Sequence, residues 1–233
     1  MVEKEVPVPP EISMVLVDNT QTAQTFAGKN FYGDPASKLK LIGITGTKGK
    51  TTTTFMIYSI LKAAGYKTGL IGTIYNLVNG QKLATKNTTP DSLALQQLMA
   101  EMVKAETEYV VMEVSSHAIA LGRIAGLSFY RGVFTNITRD HLDFHHTFTE
   151  YFKVKASFFR NLPPTAKAAI NMDDPHGSEV AAVTKGEVIG YGLQAGLTVR
   201  AEKVKTSMKH TEFELISPAG RIPVRLNLIG QFN

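Results

Sequence analysis

From residue 39 onward, short apolar runs alternate with longer stretches whose apolar residues recur every three or four positions. The short runs predict buried β-strands, and the longer stretches predict amphipathic helices. The predicted strands are 39–45, 68–74, 109–114, 132–136, 168–171 and 188–191, and the predicted helices are 51–64, 92–105 and 149–160. Asn79-Gly80 predicts the tip of a hairpin, and Asp91 could cap the second of these helices. This alternation favours an α/β fold, in which helices cover both faces of a mostly parallel sheet.

The two ends of the chain have different patterns. Residues 1–37 offer one possible strand, 13–17, and one helix that Asp18 or Asn19 caps, which together cannot bury a core. We therefore interpret 1–37 as the tail of a preceding domain and 38–233 as a second domain. After residue 197 three strand-like segments, 198–204, 210–216 and 222–228, predict a small antiparallel β appendage. A strand and Gly230 stand just before the last residue, where a helix is expected to begin, so we expect the second domain to be incomplete.

Composition narrows the class of protein. The chain has 233 residues, of which 43% are hydrophobic and 19% charged, and these values are typical of a globular protein. No apolar run approaches the roughly 18 residues that span a bilayer, and the N-terminus lacks a signal-peptide pattern, so a cytoplasmic protein is expected. The absence of cysteine excludes disulfides and thiolate metal sites. The net charge of +5 is not gathered into a Lys/Arg block, so nucleic acid is not an expected partner.

A glycine-rich segment, Gly43-Ile44-Thr45-Gly46-Thr47-Lys48-Gly49-Lys50-Thr51, follows an apolar strand and opens a helix. Glycines allow backbone N–H groups to face a phosphate, and the helix N-terminus adds a favourable dipole. Lys50 would reach the β- and γ-phosphates, and the Thr51 hydroxyl would hold Mg²⁺. The spacing is shorter than the common pattern, which has glycine where Ile44 stands. The alternative is a glycine-rich turn that packs a helix on a sheet.

Single polar residues beyond this loop are ambiguous when they are considered alone. Glu113 ends a buried strand, where a carboxylate suits Mg²⁺, but it could equally be a polar strand end. His141 follows the next strand and could be a metal ligand, a helix cap or a surface residue. Lys155 alone would be a solvated helix lysine. His145 and His146 are expected to be surface histidines.

The short glycine-rich loop resembles that of the Mur ligases and their folylpolyglutamate synthetase relatives, which are ATP-dependent amide-forming enzymes. Four further segments match, in the order found in the Mur ligases that add the third, diamino residue of the peptidoglycan peptide. They are Asn87-Thr88-Thr89-Pro90, Met112-Glu113-Val114-Ser115-Ser116-His117 followed by Arg123, Thr135-Asn136-Ile137-Thr138-Arg139-Asp140-His141-Leu142-Asp143, and Lys155. The family usually has Asn where Lys48 stands, which adds a charge of unassigned role.

The resemblance implies the following site. ATP would be held by Gly46, Thr47, Lys48, Gly49, Lys50, Thr51 and Thr52. Two Mg²⁺ ions would be held, one by Thr51 and Glu113, the other by Glu113, His141 and a carbamylated Lys155. The anionic substrate would be held by Asn87, Thr88, Thr89, Ser115 and Arg123, and Asn233 would begin the segment that meets adenine. The residues implied to be catalytic are Lys50, Glu113, His141 and Lys155.

The resemblance also implies a reaction. ATP would phosphorylate the glutamate carboxylate of UDP-N-acetylmuramoyl-L-alanyl-D-glutamate, and the amine of a diamino acid would displace the phosphate. The partners would be these small molecules, with neither nucleic acid nor membrane, and the protein would be a monomer. Residues 1–37 would be the remnant of a UDP-binding domain. Without a C-terminal domain we expect this chain to bind nucleotide weakly at best and not to complete the reaction alone. The alternatives are a folylpolyglutamate- or cyanophycin-type ligase, and a nucleotide-binding module without ligase activity.

Overall fold

The computed structural model describes residues 1–228, which form two compact units. Unit 1 comprises Met1–Leu41 and Ile57–Ser128, and unit 2 comprises Ile42–Met56 and the described residues from Phe129 onward. In the described part of the chain, no helix is both long enough and apolar enough to cross a bilayer.

The helices and strands follow the predicted alternation. The helices are α1 (Thr20–Phe31), α2 (Lys50–Ala63), α3 (Ser92–Lys104), α4 (Ser116–Ala120), α5 (Leu142–His145), α6 (Phe148–Arg160) and α7 (Gly177–Val183), with a 3-10 helix at Pro35–Lys38. The strands are β1 (Lys40–Thr45), β2 (Thr68–Ile71), β3 (Asn76–Val78), β4 (Gln81–Leu83), β5 (Tyr109–Glu113), β6 (Phe129–Phe134), β7 (Lys167–Asn171), β8 (Glu187–Gly192), β9 (Val199–Thr206), β10 (Thr211–Ser217) and β11 (Gly220–Leu226). The sequence pattern missed α4, α5 and α7, because a helix of four to seven residues shows too few turns for a period to emerge.

In unit 1 the strand order is β5-β2-β3-β4, with β2 and β5 parallel and the other pairs antiparallel. Asn79 and Gly80 both have positive φ, 49° and 78°, which is the geometry of a two-residue hairpin turn and confirms the predicted tip. The prediction that β2 extends to residue 74 is wrong. The strand ends at Ile71, and the chain turns away at Gly72, whose N–H donates to the Asn76 side chain.

The helices of unit 1 begin where the capping residues predict. The Asp91 side chain accepts the Ala94 N–H at 3.0 Å, and α3 then buries Leu95, Met99 and Met102 on one face. Helix α1 packs on α3 through a hydrogen bond between Thr25 and Ser92. The expected strand at 13–17 is wrong, since that segment contributes only an isolated bridge. The assignment of residues 1–37 to a preceding domain stays a prediction.

In unit 2 the strand order is β11-β10-β9-β8-β7-β6-β1. Strands β6, β7, β8 and β9 are paired in parallel, and β9, β10 and β11 are paired antiparallel, which confirms a mostly parallel sheet with antiparallel strands at the end of the chain. Strand β9 pairs with β8 at Tyr191↔Val199 and Gly192↔Arg200, so the antiparallel strands extend the sheet of this unit.

The core of unit 2 is built from phenylalanines. Phe129 and Phe134 on β6 meet Phe158 and Phe159 on α6 edge to face, with ring centroids 4.9 and 6.0 Å apart. Gly43 on β1 lies beneath them, and a Cβ there would fall 2.6 Å from the Phe158 ring. This packing holds β1 and α6 in place, and these two elements carry the residues described next.

Candidate active site

The predicted phosphate loop, residues 46–49, lies in unit 2 between the end of β1 and the start of α2. The Lys50 ammonium folds back over this loop and donates to the carbonyls of Gly46 and Thr47, at 2.9 Å each. Thr51 and Thr52 lie in the first turn of α2 and are half-buried. The predicted nucleotide residues therefore form one continuous loop and helix start.

The segment after β6 gives this loop its shape. Asn136 accepts the N–H of Thr47 with its carbonyl and the N–H of Lys48 with its side chain, both at 2.9 Å. Thr135 and the Asn136 amide donate to the Lys48 carbonyl, and the Thr138 N–H donates to the Thr47 hydroxyl. A Cβ at residue 46 would lie 2.0 Å from the Thr135 hydroxyl, so only glycine fits there. Residues 135–138, in the third segment that matches the Mur ligases, thus hold the backbone of the phosphate loop in place.

A further layer of polar residues supports this segment in turn, and the sequence analysis did not identify it. Asp174, which is almost fully buried, accepts the Ile137 N–H at 2.8 Å, and the Asn171 amide donates to the Thr135 carbonyl at 2.7 Å. The available signal was their position, because Asn171 ends β7 and Asp174 lies three residues later, at the carboxyl edge of a parallel strand.

Lys155 is buried, with only 2% of the residue exposed, so its interpretation as a solvated helix lysine is wrong. Its ammonium donates to the Gly46 carbonyl at 2.8 Å and lies 4.9 Å from the centre of the Tyr151 ring. Burial and, to a lesser extent, repulsion from Lys50 lower the pKa of Lys155 to about 7, although attraction to Asp140 partly opposes them. Near neutral pH much of this amine is therefore uncharged and nucleophilic.

Two aromatic residues complete the surroundings of this lysine. The Tyr151 hydroxyl is 3.0 Å from the Thr47 hydroxyl, and burial raises the pKa of Tyr151 to about 12, so it stays protonated. His145 is buried, and its ring centroid lies 5.2 Å from that of Tyr151. The expectation that His145 is a surface histidine is therefore wrong, whereas His146 is exposed.

His141 lies at the rim of the same unit with a left-handed backbone, φ 52°, and a side chain that is 46% exposed. Its Nε2 is 3.9 Å from the Asp140 carboxylate, and the Lys48 ammonium is also 3.9 Å from that carboxylate. Ion pairs this long and exposed contribute little to stability. The extra charge at Lys48 thus faces Asp140.

In unit 1, Glu113 ends β5 with only 1% of the residue exposed. The Thr73 N–H donates to one carboxylate oxygen at 2.8 Å, and the Thr73 hydroxyl donates to the other at 3.0 Å. Thr73 is not among the predicted site residues, because no sequence pattern indicates that a polar residue after β2 contacts one forty positions later. Glu113 is a buried carboxylate held in one orientation.

The predicted substrate residues of unit 1 divide into two groups. Thr89 is fully buried, and its hydroxyl donates to the Glu113 carbonyl at 2.8 Å and accepts the Ser115 N–H at 3.1 Å. Arg123 donates to the Thr89 carbonyl at 3.0 Å. These residues form one hydrogen-bonded group, whereas Asn87 is exposed and Thr88 is half-buried. In this structure the Thr89 hydroxyl is hydrogen-bonded to backbone groups, and the side chain is too buried to contact a ligand.

The donor types can be compared with what Mg²⁺ prefers. Among residues 1–228 no group of three or more His, Cys, Asp or Glu side chains is placed to hold a metal ion. The predicted ligands include only one carboxylate and one imidazole, and a hydroxyl and a modified lysine complete the set. Its oxygen donors are the type that Mg²⁺ prefers, so the residue types fit this ion. Asn233 lies outside the described residues.

Comparison with known proteins gives close relatives. The chain is 45% identical over 224 residues to UDP-N-acetylmuramoyl-L-alanyl-D-glutamate–2,6-diaminopimelate ligase 1 of Clostridium acetobutylicum, and the match covers 96% of this chain and 46% of the relative. It is 41% identical over 229 residues to the corresponding ligase of Bacillus licheniformis, over 96% of this chain and 47% of the relative. The chain spans about half the length of these relatives.

Solved structures show the same fold. A structure of a UDP-N-acetylmuramoyl-L-alanyl-D-glutamate–2,6-diaminopimelate ligase matches with a TM-score of 0.79 and 28% identity, over 91% of this chain and 44% of that one. Folylpolyglutamate synthase of Mycobacterium tuberculosis, complexed with ADP and AMPPCP, matches with a TM-score of 0.73 and 17% identity over 90% and 55%, which shows the fold alone. The family model described as Mur ligase middle domain matches residues 44–233. The chain therefore belongs to the Mur ligase family.

Proposed function

We propose that this chain is the ATP-binding part of an amide ligase of peptidoglycan precursor synthesis. The ligase adds a diamino acid to UDP-N-acetylmuramoyl-L-alanyl-D-glutamate and releases ADP and phosphate. The observation that carries the proposal is the phosphate loop, shaped by the segment after β6 and contacted by the buried amine of Lys155. The names of the 41–45% identical relatives support this choice of substrates.

The loop residues would hold the nucleotide. Backbone N–H groups in residues 46–52 other than those of Thr47 and Lys48, which Asn136 binds, would face the phosphates. The Lys50 ammonium exchanges its loop carbonyls for β- and γ-phosphate oxygens. The loop needs little rearrangement, because Asn136 and Thr135 already hold its backbone. Preorganisation of this kind is the main protein contribution to phosphoryl transfer.

Mg²⁺, when bound, supplies positive charge that neutralises the transferring phosphoryl group. We propose that Thr51 and Glu113 hold one ion, and that Glu113, His141 and carbamylated Lys155 hold the other. The uncharged Lys155 amine attacks the carbon of CO₂ and loses a proton, which turns a cation into a carboxylate-like oxygen donor. A pKa of about 7 supports this step, because it leaves about half of the amine unprotonated near neutral pH, whereas an ordinary lysine is almost fully protonated there.

The chemistry then proceeds in two displacements. The glutamate side-chain carboxylate attacks the γ-phosphorus of ATP, which forms an acyl phosphate and releases ADP. The amine of the diamino acid attacks the acyl carbon, and the tetrahedral intermediate expels phosphate and loses a proton to leave the amide. Asn87, Thr88 and Arg123 would orient the muramoyl peptide, and Thr89 and Ser115 would hold that loop in place.

We also propose a monomeric, cytoplasmic protein that acts on small molecules, without nucleic acid or membrane partners. Because the chain spans about half of its relatives, we propose that residues 1–233 alone bind nucleotide without completing the reaction. A folate-type or cyanophycin-type ligase is the alternative enzyme. The folylpolyglutamate synthases match at no more than 17% identity, so they support the fold and not that substrate.

Calorimetry on the purified chain tests the proposal. Titration with MgADP, MgATP and adenosine should show binding that depends on the phosphates and that Lys50→Ala abolishes, whereas Lys38→Ala, outside the loop, keeps it. Phosphate release is then followed with the UDP-muramoyl dipeptide plus diaminopimelate or lysine, and separately with a folate. Residues 1–233 alone should release no phosphate in either assay, and release that needs both the dipeptide and the diamino acid would overturn the proposal that this chain is inactive by itself. A folded chain that ignores nucleotide would overturn the phosphate site, and turnover of the folate would overturn the substrate.

A further inference from the structure

Thr73 makes two hydrogen bonds to the same carboxylate. Its N–H donates to Oε1 of Glu113 at 2.8 Å, and its hydroxyl donates to Oε2 at 3.0 Å. Two donors from one residue, one on each oxygen, set both the position and the rotation of the carboxylate plane. Thr73 is itself exposed, so this contact lies at the edge of the unit and not in its core.

The local backbone is built for this contact. Strands β2 and β5 are paired in parallel up to Ile71↔Met112, so the residues that follow each strand emerge side by side. The absence of a side chain at Gly72 leaves room for this carboxylate, because a Cβ there would lie 2.6 Å from Oε1 of Glu113 and would displace it. The Asn76 side chain accepts the Gly72 N–H at 3.2 Å and holds the bend. The pairing of β2 with β5 and the bend at Gly72 thus bring the Thr73 hydroxyl to the Glu113 carboxylate.

The Thr73 hydroxyl also has a second neighbour, since its oxygen lies 3.2 Å from the Thr88 hydroxyl oxygen. A hydroxyl carries one proton, so Thr73 can donate to Glu113 or to Thr88, and not to both at once. The carboxylate is the stronger acceptor while it keeps its full negative charge. A cation bound to Glu113 makes the carboxylate a weaker hydrogen-bond acceptor. The Thr73 hydroxyl can then donate its proton to the Thr88 hydroxyl instead.

We infer that Thr73 is a positioning residue that orients Glu113 for a divalent cation and links its occupancy to the loop formed by Asn87–Pro90. The inference rests on the proposed function, in which Glu113 holds Mg²⁺ and this loop meets the muramoyl peptide. Cation binding at Glu113 and the conformation of the Thr88 hydroxyl are then coupled through one shared proton. Binding of the cation at Glu113 would therefore change the affinity of the Asn87–Pro90 loop for substrate, and binding of substrate would change the affinity for the cation.

Mn²⁺ binding tests the positioning role. Free Mn²⁺ is measured by electron paramagnetic resonance in the presence of ADP, with the purified chain. Thr73→Val keeps the shape and the backbone N–H but removes the hydroxyl, and should weaken Mn²⁺ binding about tenfold, as expected for one hydrogen bond to a charged group. Thr73→Ser restores the hydroxyl and should restore affinity. Thr20→Val is the matched control, because the Thr20 N–H and hydroxyl likewise both donate to a carboxylate, that of Glu3, at 2.8 Å each and outside this loop.

Hydrogen–deuterium exchange tests the link. In the native chain, Mn²⁺ with ADP should change the exchange of residues 85–90, and both Thr73→Val and Thr88→Val should lose this response. A change that is merely structural would alter exchange with and without metal equally. An unchanged loop in the native chain, or Mn²⁺ affinity in Thr73→Val equal to native, overturns the inference alone. If Glu113→Gln binds Mn²⁺ as the native chain does, the metal assignment fails, and the inference fails with it.

Discussion

The ammonium of Lys155 donates a 2.8 Å hydrogen bond to the carbonyl oxygen of Gly46, the first residue of the phosphate loop. This bond places an amine with a pKa of about 7 directly behind the residues that are expected to receive ATP. The same side chain therefore affects both the stability of the fold and the chemistry of the site, and the two effects can be measured separately.

Replacement of Lys155 by Met should remove a pH dependence of stability. The pKa of Lys155 is about 7 in the folded chain and near its ordinary value of 10.5 in the unfolded chain. Between these pH values the unfolded chain binds more protons, so the free energy of unfolding rises with pH, by up to about 1.4 kcal/mol per pH unit. Below pH 7 both states are protonated, and the folded chain carries the full cost of the buried charge.

Urea unfolding from pH 6.5 to 9.5 measures this slope. Lys155→Met should flatten it and should be most stabilising at the acidic end of the range. Lys153→Met serves as the control, since Lys153 is an exposed lysine on the same helix and should leave the slope unchanged. Equal slopes in the two variants would mean that Lys155 keeps its proton in the folded state.

The Lys155 amine should also form a carbamate. The native chain is incubated with ¹³C-labelled bicarbonate near pH 8, where most of the amine is unprotonated, and a carbamate carbon signal is sought by nuclear magnetic resonance. We expect the signal in native protein and in Lys153→Met, and none in Lys155→Met. Added Mg²⁺ with ADP should strengthen the signal if the carbamate is a metal ligand. A native chain without the signal would rule out this modification.

Asp174→Asn should weaken nucleotide binding, although Asp174 acts on the phosphate loop only through the segment after β6. Its two oxygens accept the N–H groups of Ile137 and His176, and an amide offers only one acceptor oxygen, so one N–H is left unpaired. We expect a loss of about 1–3 kcal/mol in the free energy of unfolding. In the folded fraction, affinity should fall for ADP and not for adenosine, because the affected segment shapes the phosphate loop.

Asp173→Asn is the matched control for Asp174→Asn. Asp173 is the neighbouring carboxylate, it is exposed, and it accepts the N–H of Leu193 without contacting the segment after β6. It should keep ADP affinity within about twofold, since exposed polar changes rarely matter much. Equal losses in both variants would show that the charge of this region, and not the bond to Ile137, supports the loop.

Lys48→Asn should leave the fold unaffected. The Lys48 side chain is 77% exposed, and its pair with Asp140 at 3.9 Å contributes less than about 1 kcal/mol. The backbone of Lys48 is what the loop requires, because Asn136 and Thr135 bind its N–H and carbonyl. Asn136→Ala should therefore reduce ADP affinity much more than Lys48→Asn does, as calorimetry would measure. The reverse order would mean that the ammonium of Lys48 binds phosphate directly.

Local signals in the sequence predicted local structure well. The Asp91 cap, the Asn79–Gly80 turn and the loop before Lys50 each depend on a few neighbouring residues, and each is found where it was predicted. The burial of Lys155 also had a signal, because it lies four residues after Tyr151 and four before Phe159 on the buried face of α6. An apolar pattern that ignores charged residues passes over it.

Other features depend on contacts that no local pattern records. His145 is buried because a four-residue helix brings it against Tyr151, and so short a helix has no period to read. Thr73 contacts Glu113 across two parallel strands, and Asp174 reaches Ile137 from the end of β7. These two contacts depend on which strands are neighbours in the sheet. The sequence predicts the fold class, a mostly parallel sheet, but not the order of its strands.

The phosphate loop is shaped by residues that are synthesised long after it. Asn136 is 88 positions beyond its partner Lys48, and Lys155 is 109 positions beyond Gly46. Contacts at such separations close large loops, which costs conformational entropy and slows folding. While the ribosome is still extending the chain toward residue 174, residues 46–49 have been made but lack the groups that hold them. Under the proposed function, a nascent chain would therefore acquire nucleotide binding only after these later residues have packed against the loop.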